Sequence, residues 1–221
     1  MSEMSNPNAN IKEGFYSKLF ARFYDPFMGS MEQRVLGRYR KQLIEPLSGN
    51  ILEVGSGTGI NFKLYPKDCN VIASEPSEHM LKYAEERLKM EAVEAKIKLV
   101  LAGVGSDELE KRVPEGGFDA IVCTLVLCTI PEPEKAVANF KKWLKSNGKL
   151  IILEHVHPKT SPRKLVHNVL NPAWKHFAEG CHLNRDTAQM LRDSGFTAEW
   201  EKDFVKVMPF HVSIMKLTPT S

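Results

Sequence analysis

Three glycines at alternate positions, directly behind an acidic residue, constrain this chain more than any other feature. The segment Ile51-Leu-Glu-Val-Gly-Ser-Gly-Thr-Gly59 has the spacing E-x-G-x-G-x-G, with Glu53 ahead of Gly55, Gly57 and Gly59. Glycines at this spacing predict a tight turn between a strand and a helix, where no Cβ blocks the approach of a ligand. We therefore expect a larger side chain at Gly57 to close the turn sterically and abolish ligand binding.

The acid ahead of the turn separates this motif from the G-x-G-x-x-G pattern of dinucleotide-binding enzymes, which would have a glycine in place of Ile60. A pyrophosphate requires several backbone N–H groups and a helix dipole directed at its charge. The carboxylate of Glu53 instead suits a ligand that carries an ammonium or a sulfonium. The motif therefore disfavours an NAD-dependent reductase.

A second acid follows the glycines by about twenty residues, the spacing at which an acid contacts a ribose in nucleotide-binding sheets. Glu75 ends the short apolar run that begins at Cys69. A carboxylate there can accept hydrogen bonds from both ribose hydroxyls of a nucleoside, although an ordinary strand-end acid is the alternative. Pro76 and Ser77 end the strand and begin a helix, and Met80, one turn further, is placed to lie against an adenine.

Strand and helix patterns alternate from Asn50 onwards, which predicts an α/β fold with a doubly wound, mostly parallel sheet. The ligand of such a sheet lies beyond the carboxyl ends of the strands. The predicted strands are Asn50–Val54, Asn70–Ser74, Ile97–Leu101, Phe118–Thr124, Lys149–Glu154, Thr197–Asp203 and His211–Leu217. The residues at or directly after the ends of the first five are Glu53, Glu75, Gly103, Thr124, Leu125 and Glu154.

Composition excludes several classes of protein. A formal net charge of +3 over 221 residues is too small to indicate nucleic acid as a partner. No apolar run approaches the roughly twenty residues that span a bilayer. The four cysteines have no C-x-x-C spacing, so we expect reduced thiols, no metal and a cytoplasmic location.

The motif and the second acid together resemble those of the class I S-adenosylmethionine (SAM)-dependent methyltransferases. From Ile51 to roughly Phe196 the chain resembles, more narrowly, the methyltransferase-like thiol S-methyltransferases. The segments that carry this likeness are Gly57–Pro66, Val122–Thr129, Glu154–Val156, Asn171–His176 and Gly180–Arg185. A weaker resemblance runs from Phe23-Tyr-Asp25 to phospholipid N-methyltransferases and quinone C-methyltransferases.

The resemblance implies a Rossmann-like, seven-stranded class I methyltransferase fold, SAM as cofactor, S-adenosylhomocysteine as product and a small acceptor. An apolar alkyl thiol is the first expectation for that acceptor. Methylation of a lipid head group or a quinone, and a non-catalytic SAM-binding module, are the alternatives. The expected cofactor-binding residues are Tyr16, Tyr24, Glu53, Gly55, Gly57, Gly59, Glu75, Pro76, Met80, Gly103, Thr124 and Leu125.

The expected domain organisation follows from these patterns. Residues 1–10 form a disordered tail, and residues 11–221 form a single methyltransferase domain. Within it we expect a helical cover at 11–47, the SAM-binding core at 48–155, an acceptor-side insertion at 156–184, and a final helix with a strand hairpin at 185–221. The insertion is basic, so weak peripheral contact with an anionic membrane is a further expectation.

His155 is the candidate catalytic residue, because a histidine at the ligand edge of the sheet can remove the proton of an incoming thiol. The alternative is a strand-end histidine hydrogen-bonded to the backbone. Arg185 is either a contact for an anionic acceptor or an ordinary helix start. Cys128 is either a covalent catalyst or a small apolar filler.

Overall fold

Strands and helices alternate along the chain in the computed structural model, as the sequence predicts. The structure describes residues 36–157, 165, 169, 171, 182, 184–205 and 209–219. The tail predicted at 1–10, Tyr16, Tyr24 and most of the insertion predicted at 156–184 lie outside these residues. The chain divides into two compact units, Met1–Phe118 and Asp119–Ser221. The single domain at 11–221 stays a prediction.

The first unit holds three parallel strands. Strand β1 pairs with β2, which pairs with β3, and Glu53 lies opposite Ala73 in this register. The elements of this unit, in chain order, are helix α1 (Gly37–Ile44), β1 (Gly49–Val54), a 3-10 turn (Phe62–Leu64), β2 (Cys69–Glu75), α2 (Glu78–Met90), β3 (Lys96–Leu101) and α3 (Asp107–Glu110).

The second unit contains antiparallel pairs. Strand β7 runs antiparallel to both β5 and β6, with His155 opposite Phe210. A helix and an antiparallel strand pair thus lie within 185–221, and the division of the domain at 185 stays a prediction. The elements are β4 (Phe118–Thr124), which starts at the boundary between the units, α4 (Pro133–Trp143), β5 (Leu144–His155), α5 (Thr187–Asp193), β6 (Phe196–Val205) and β7 (Pro209–Leu217).

The seven strands belong to one sheet in the order β3-β2-β1-β4-β5-β7-β6. This order confirms the predicted α/β fold with a mostly parallel sheet. The apolar runs of β4 and β5 are buried, and Ile121, Val122, Ile151 and Ile152 are fully inaccessible to solvent. Burial on both faces is what a strand without polar alternation requires.

The sequence also predicts helices at Ile60–Tyr65, Ser77–Met90, Ser106–Val113, Glu132–Lys145 and Arg185–Ser194, and the first and third of these are single turns in the structure. The helix expected at Ser106–Val113 is the single turn Asp107–Glu110, because Pro114 disfavours helical geometry in the residue before it. The helix expected at Ile60–Tyr65 is the 3-10 turn Phe62–Leu64. Tyr65, which precedes Pro66, has the extended ψ of 127° that the same steric rule favours.

Candidate active site

The glycine motif forms a left-handed turn directly after β1. Gly55, Gly57 and Gly59 have φ of 62°, 56° and 79°, a region that side chains other than glycine rarely adopt. The N–H of Ser56 bonds the carbonyl of Ser74 at 3.0 Å, which ties the turn to β2. The motif therefore has the conformation that its sequence predicts.

The glycines differ in what surrounds them. A Cβ built on Gly59 would lie 2.3 Å from the ring of the buried Phe62, whereas a Cβ on Gly57 meets no atom within 4 Å. A Cβ at Gly57 would therefore meet no protein atom, and the expected loss of ligand binding on substitution stays a prediction. The space over Gly57 is open to a ligand, and the sterically locked position is Gly59.

Glu75 joins the glycine turn to the start of α2. One carboxylate oxygen accepts the N–H of Gly57 and the other accepts the N–H of Ser77, both at 2.9 Å. The hydroxyl of Ser77 caps α2 by accepting the N–H of Met80 at 3.4 Å. The structure thus links Glu75 to the glycine turn and to the start of α2, and the ribose and adenine contacts of Glu75, Pro76 and Met80 stay predictions.

Glu53 is a buried carboxylate with one oxygen bound and the other unpartnered. Its Oε1 accepts a 2.7 Å bond from Asn61, whose own oxygen accepts a 2.9 Å bond from Arg40. Its Oε2 is buried and, within the residues that the structure describes, accepts no hydrogen bond of ordinary geometry. All three side chains are at most 3% exposed. Neither Asn61 nor Arg40 is among the site residues predicted from the sequence, although Asn61 lies within one of the segments that carry the family resemblance.

Burial raises the pKa of Glu53 to about 7, against the opposing effects of Asn61, Tyr65 and the charge of Arg40. The Tyr65 hydroxyl is buried in the same cluster without a hydrogen bond of ordinary geometry. Burial, followed by the charge of Glu53, raises the Tyr65 pKa well above its usual value. An unpartnered buried carboxylate oxygen is costly unless a ligand donor or cation satisfies it.

In the second unit, Thr124 ends β4 and Leu125 begins the loop that follows. Leu125 has φ of 60°, and within the described parts of the chain it alone combines a side chain with positive φ. Its N–H bonds the carbonyl of Leu153 at 2.8 Å. Strain of this kind persists only where the surroundings impose it, and it concentrates at functional sites.

Glu154 and Arg185 hold this loop rather than a ligand. Glu154, fully buried near the end of β5, accepts the N–H groups of Val126 and Leu127 at 2.8 Å. The guanidinium of Arg185 donates to the carbonyls of Leu127 and Ile130, both at 2.6 Å. The segment Asn184–Asp186 is the helix start that the sequence indicates, since Asp186 caps α5, and the contact of Arg185 with an anionic acceptor stays a prediction.

His155 ends β5 and is only 7% exposed. Its ring packs edge-on against Phe210, with 4.5 Å between the centroids. Within the described part of the chain both ring nitrogens are buried without a hydrogen-bond partner, so the expected bond to the backbone is absent there. The catalytic assignment stays a prediction.

Gly103 and Cys128 complete the predicted set. Gly103 lies between β3 and α3, where its carbonyl accepts the N–H of Ser106 at 3.2 Å. The thiol of Cys128 is buried. No three His, Cys, Asp or Glu side chains are grouped to hold a metal in the part of the chain that the structure describes. Among those same residues, no helix is long and apolar enough to cross a membrane.

Comparison with known proteins identifies the family. Residues 52–152 match the methyltransferase domain family. The chain is 34% identical over 169 residues to thiol S-methyltransferase TMT1B of Rattus norvegicus, covering 75% of this chain and 68% of that protein. Thiol S-methyltransferase TMT1B of Mus musculus is 31% identical over 207 residues, or 91% of this chain and 82% of that protein. The chain therefore belongs to the methyltransferase family that these relatives share.

A solved structure supports the fold. The SAM-dependent methyltransferase from Aquifex aeolicus is 18% identical, with a TM-score of 0.63 over 90% of this chain and 98% of that one. The protein is a class I SAM-dependent methyltransferase. The residues of the first unit fit the cofactor, because the unpartnered oxygen of Glu53 can receive a cationic group and the space over Gly57 is open.

Proposed function

We propose that this methyltransferase methylates the sulfur of a small, apolar thiol. The observation that carries the proposal is the similarity, across 91% of the chain, to an enzyme named a thiol S-methyltransferase. The described side chains of the second unit are compatible with this chemistry, and each supports a separate part of it.

When bound, SAM supplies an electrophilic methyl group. The chain must therefore orient the acceptor, exclude water and remove the thiol proton, because the thiolate is the effective nucleophile. His155 suits the last task, since its two ring nitrogens are buried and bound to no protein group. One nitrogen could accept the thiol proton, and the thiolate sulfur would then bond to the methyl carbon as the bond of that carbon to the sulfonium breaks and S-adenosylhomocysteine leaves.

The loop after β4 suits an apolar acceptor. Leu127 is fully buried, and Leu125 and Val126 are half-buried. Glu154 accepts the N–H groups of Val126 and Leu127, so these donors are satisfied without water. Satisfied backbone groups permit an apolar ligand to lie nearby without a desolvation penalty.

The experiment is methyl transfer from labelled SAM to a small aliphatic thiol. Phosphatidylethanolamine vesicles and a quinol serve as rival acceptors, and calorimetry measures SAM binding separately. The aliphatic alcohol of the same chain length is the matched control, because it differs only in the nucleophilic atom.

We expect label in the thiol and none in the alcohol. Label in the lipid or the quinol alone would assign the enzyme to head-group or quinone methylation. SAM binding with no labelled acceptor would favour a non-catalytic SAM-binding module. Either of these results contradicts the thiol proposal and leaves the family assignment intact.

A further inference from the structure

The backbone of the loop Leu125–Ile130 is bound by side chains both at its N–H groups and at its carbonyl groups. Among the N–H groups, those of Val126 and Leu127 donate to Glu154 Oε1 at 2.8 Å. Its Oε2 accepts the N–H of Cys128 at 3.4 Å. Three consecutive N–H groups thus converge on one fully buried carboxylate.

Two carbonyl groups of the same loop accept hydrogen bonds from Arg185. Its Nη1 donates to the carbonyls of Leu127 and Ile130 at 2.6 Å. The carbonyl of Arg185 in turn accepts the N–H of His157 at 3.0 Å, which ties the arginine to the segment after β5. We call Glu154 and Arg185 the clamp, because the carboxylate binds the N–H groups of the loop and the guanidinium binds its carbonyl groups.

Both groups that bind this loop are charged. A hydrogen bond to a charged group is roughly twice as strong as one between neutral groups. Leu125, at the start of the loop, has the unfavourable φ of 60°. A conformation of this kind survives only when surrounding interactions overdetermine it. The clamp supplies that excess.

We propose that Glu154 and Arg185 are positioning residues that fix the Leu125–Ile130 loop and so set the geometry of the methyl acceptor. The inference rests on the proposed function, in which this loop borders the acceptor. Neither side chain needs to touch the acceptor, because each acts through the backbone of the loop. Their loss should reduce acceptor turnover and leave SAM binding intact.

The variants are Glu154→Gln, which keeps the volume and removes the charge, and Arg185→Met, which removes the cation and keeps much of the stem. Arg185→Lys is the conservative variant. Asp119→Asn is the matched control, because it removes a carboxylate of the same unit whose 2.7 Å partner is Lys145 rather than the loop. Each variant is measured for acceptor kinetics, for the affinity and stoichiometry of SAM binding, and for amide hydrogen exchange at 126–128.

We expect kcat/KM for the acceptor to fall by about 10- to 100-fold in Glu154→Gln and Arg185→Met, the scale of a displacement near 1 Å. Arg185→Lys should recover part of this loss, and Asp119→Asn should change nothing. Exchange at 126–128 should accelerate in both clamp variants, with one SAM still bound per folded chain. A structural role alone would instead lower the stoichiometry of SAM binding and kcat in the same proportion.

Unchanged exchange at 126–128 in both clamp variants would overturn the proposal, as would faster exchange with unchanged kcat/KM. If Glu154→Gln does not fold, the pair Arg185→Met and Arg185→Lys decides by the same criteria. Hydrogen exchange needs no acceptor, and the kinetics use whichever acceptor the wild-type enzyme methylates. A failure of the thiol assignment is therefore distinguishable from a failure of the clamp.

Discussion

Asn61 donates a 2.7 Å hydrogen bond to one carboxylate oxygen of Glu53, and the other oxygen of Glu53 is buried without a partner. This half-satisfied carboxylate makes the stability of the protein depend on pH. Burial raises the Glu53 pKa from 4.5 to about 7, so between these values the folded state holds a proton that the unfolded state has lost. Stability must then fall as the pH rises through that window and level off above pH 7.

We therefore expect Glu53→Gln, which mimics the protonated acid, to equal the wild type in stability near pH 5 and to exceed it at pH 8. The difference at pH 8 should be about 3 kcal/mol, since each unit of pKa shift corresponds to about 1.4 kcal/mol. Urea unfolding at the two pH values measures it. Saturating SAM should narrow the difference at pH 8, because a cationic ligand stabilises the ionised acid. An identical difference at both pH values would show that Glu53 does not titrate in this window.

Substitution by alanine should lower the stability of the protein less at Gly57 than at Gly59. At Gly57 the added Cβ meets no protein atom, so only the left-handed backbone is penalised, by about 1–2 kcal/mol. At Gly59 the Cβ also collides with the buried ring of Phe62, and we expect a total loss of roughly 3 kcal/mol or more. Calorimetry should show weaker SAM binding in the folded Gly57→Ala protein. Equal losses of stability in the two variants would contradict the geometry.

Glu75 should matter to SAM more than its exposed neighbour does. Glu75→Gln replaces one acceptor oxygen by an amide that cannot receive the N–H of Gly57 or Ser77. We expect SAM affinity to weaken by about 1–3 kcal/mol, the value of a charged hydrogen bond. Glu78→Gln, which loses an exposed pair with Lys82, is the control. The affinity lost in Glu75→Gln should be smaller for a 2′-deoxyribose analogue of S-adenosylhomocysteine than for S-adenosylhomocysteine itself. An equal loss of affinity for the two ligands would assign Glu75 a structural role only.

The predictable part of the site is the part that is local in sequence. Glu53 and the glycines lie within seven residues, and Ser77 caps the helix that begins at the next residue. Spacing alone therefore placed the turn, the second acid and the helix start. The alternation of apolar strands and amphipathic helices likewise predicted the seven strands, because burial leaves a periodic mark in the sequence.

The contacts that sequence reasoning missed join distant residues. Arg40 reaches Asn61 across 21 positions, Glu154 binds the N–H of Val126 across 28, and Arg185 binds the carbonyl of Leu127 across 58. Such pairs depend on how the strands are ordered in space and leave no local pattern. The two carbonyl contacts of Arg185 were not predicted for this reason, although Asn184 and Asp186 correctly indicated the helix start.

Leu125 should be replaceable without a large loss of stability, in contrast to Leu127. Glycine at 125 relieves the positive φ, which offsets the lost contacts of a half-buried side chain, so we expect a change within about 1 kcal/mol. Leu127→Ala should cost about 2–5 kcal/mol, because Leu127 is fully buried. Thermal unfolding tests this contrast. KM for an apolar thiol should nevertheless rise in Leu125→Gly, and an unchanged KM would remove Leu125 from the acceptor site.

His155 can be tested through the acidity of the acceptor. If its unpartnered ring accepts the thiol proton, His155→Ala should lower turnover of an aliphatic thiol near pH 7 by about 10²- to 10⁴-fold, the usual contribution of a general base. The defect should shrink at alkaline pH, where the thiol ionises without help. It should also be small for an aromatic thiol that is already ionised at the assay pH. His79→Ala, on α2, is the control for loss of a histidine elsewhere. A defect of the same size for both thiols at every pH would assign His155 a packing role against Phe210 and exclude it as the base.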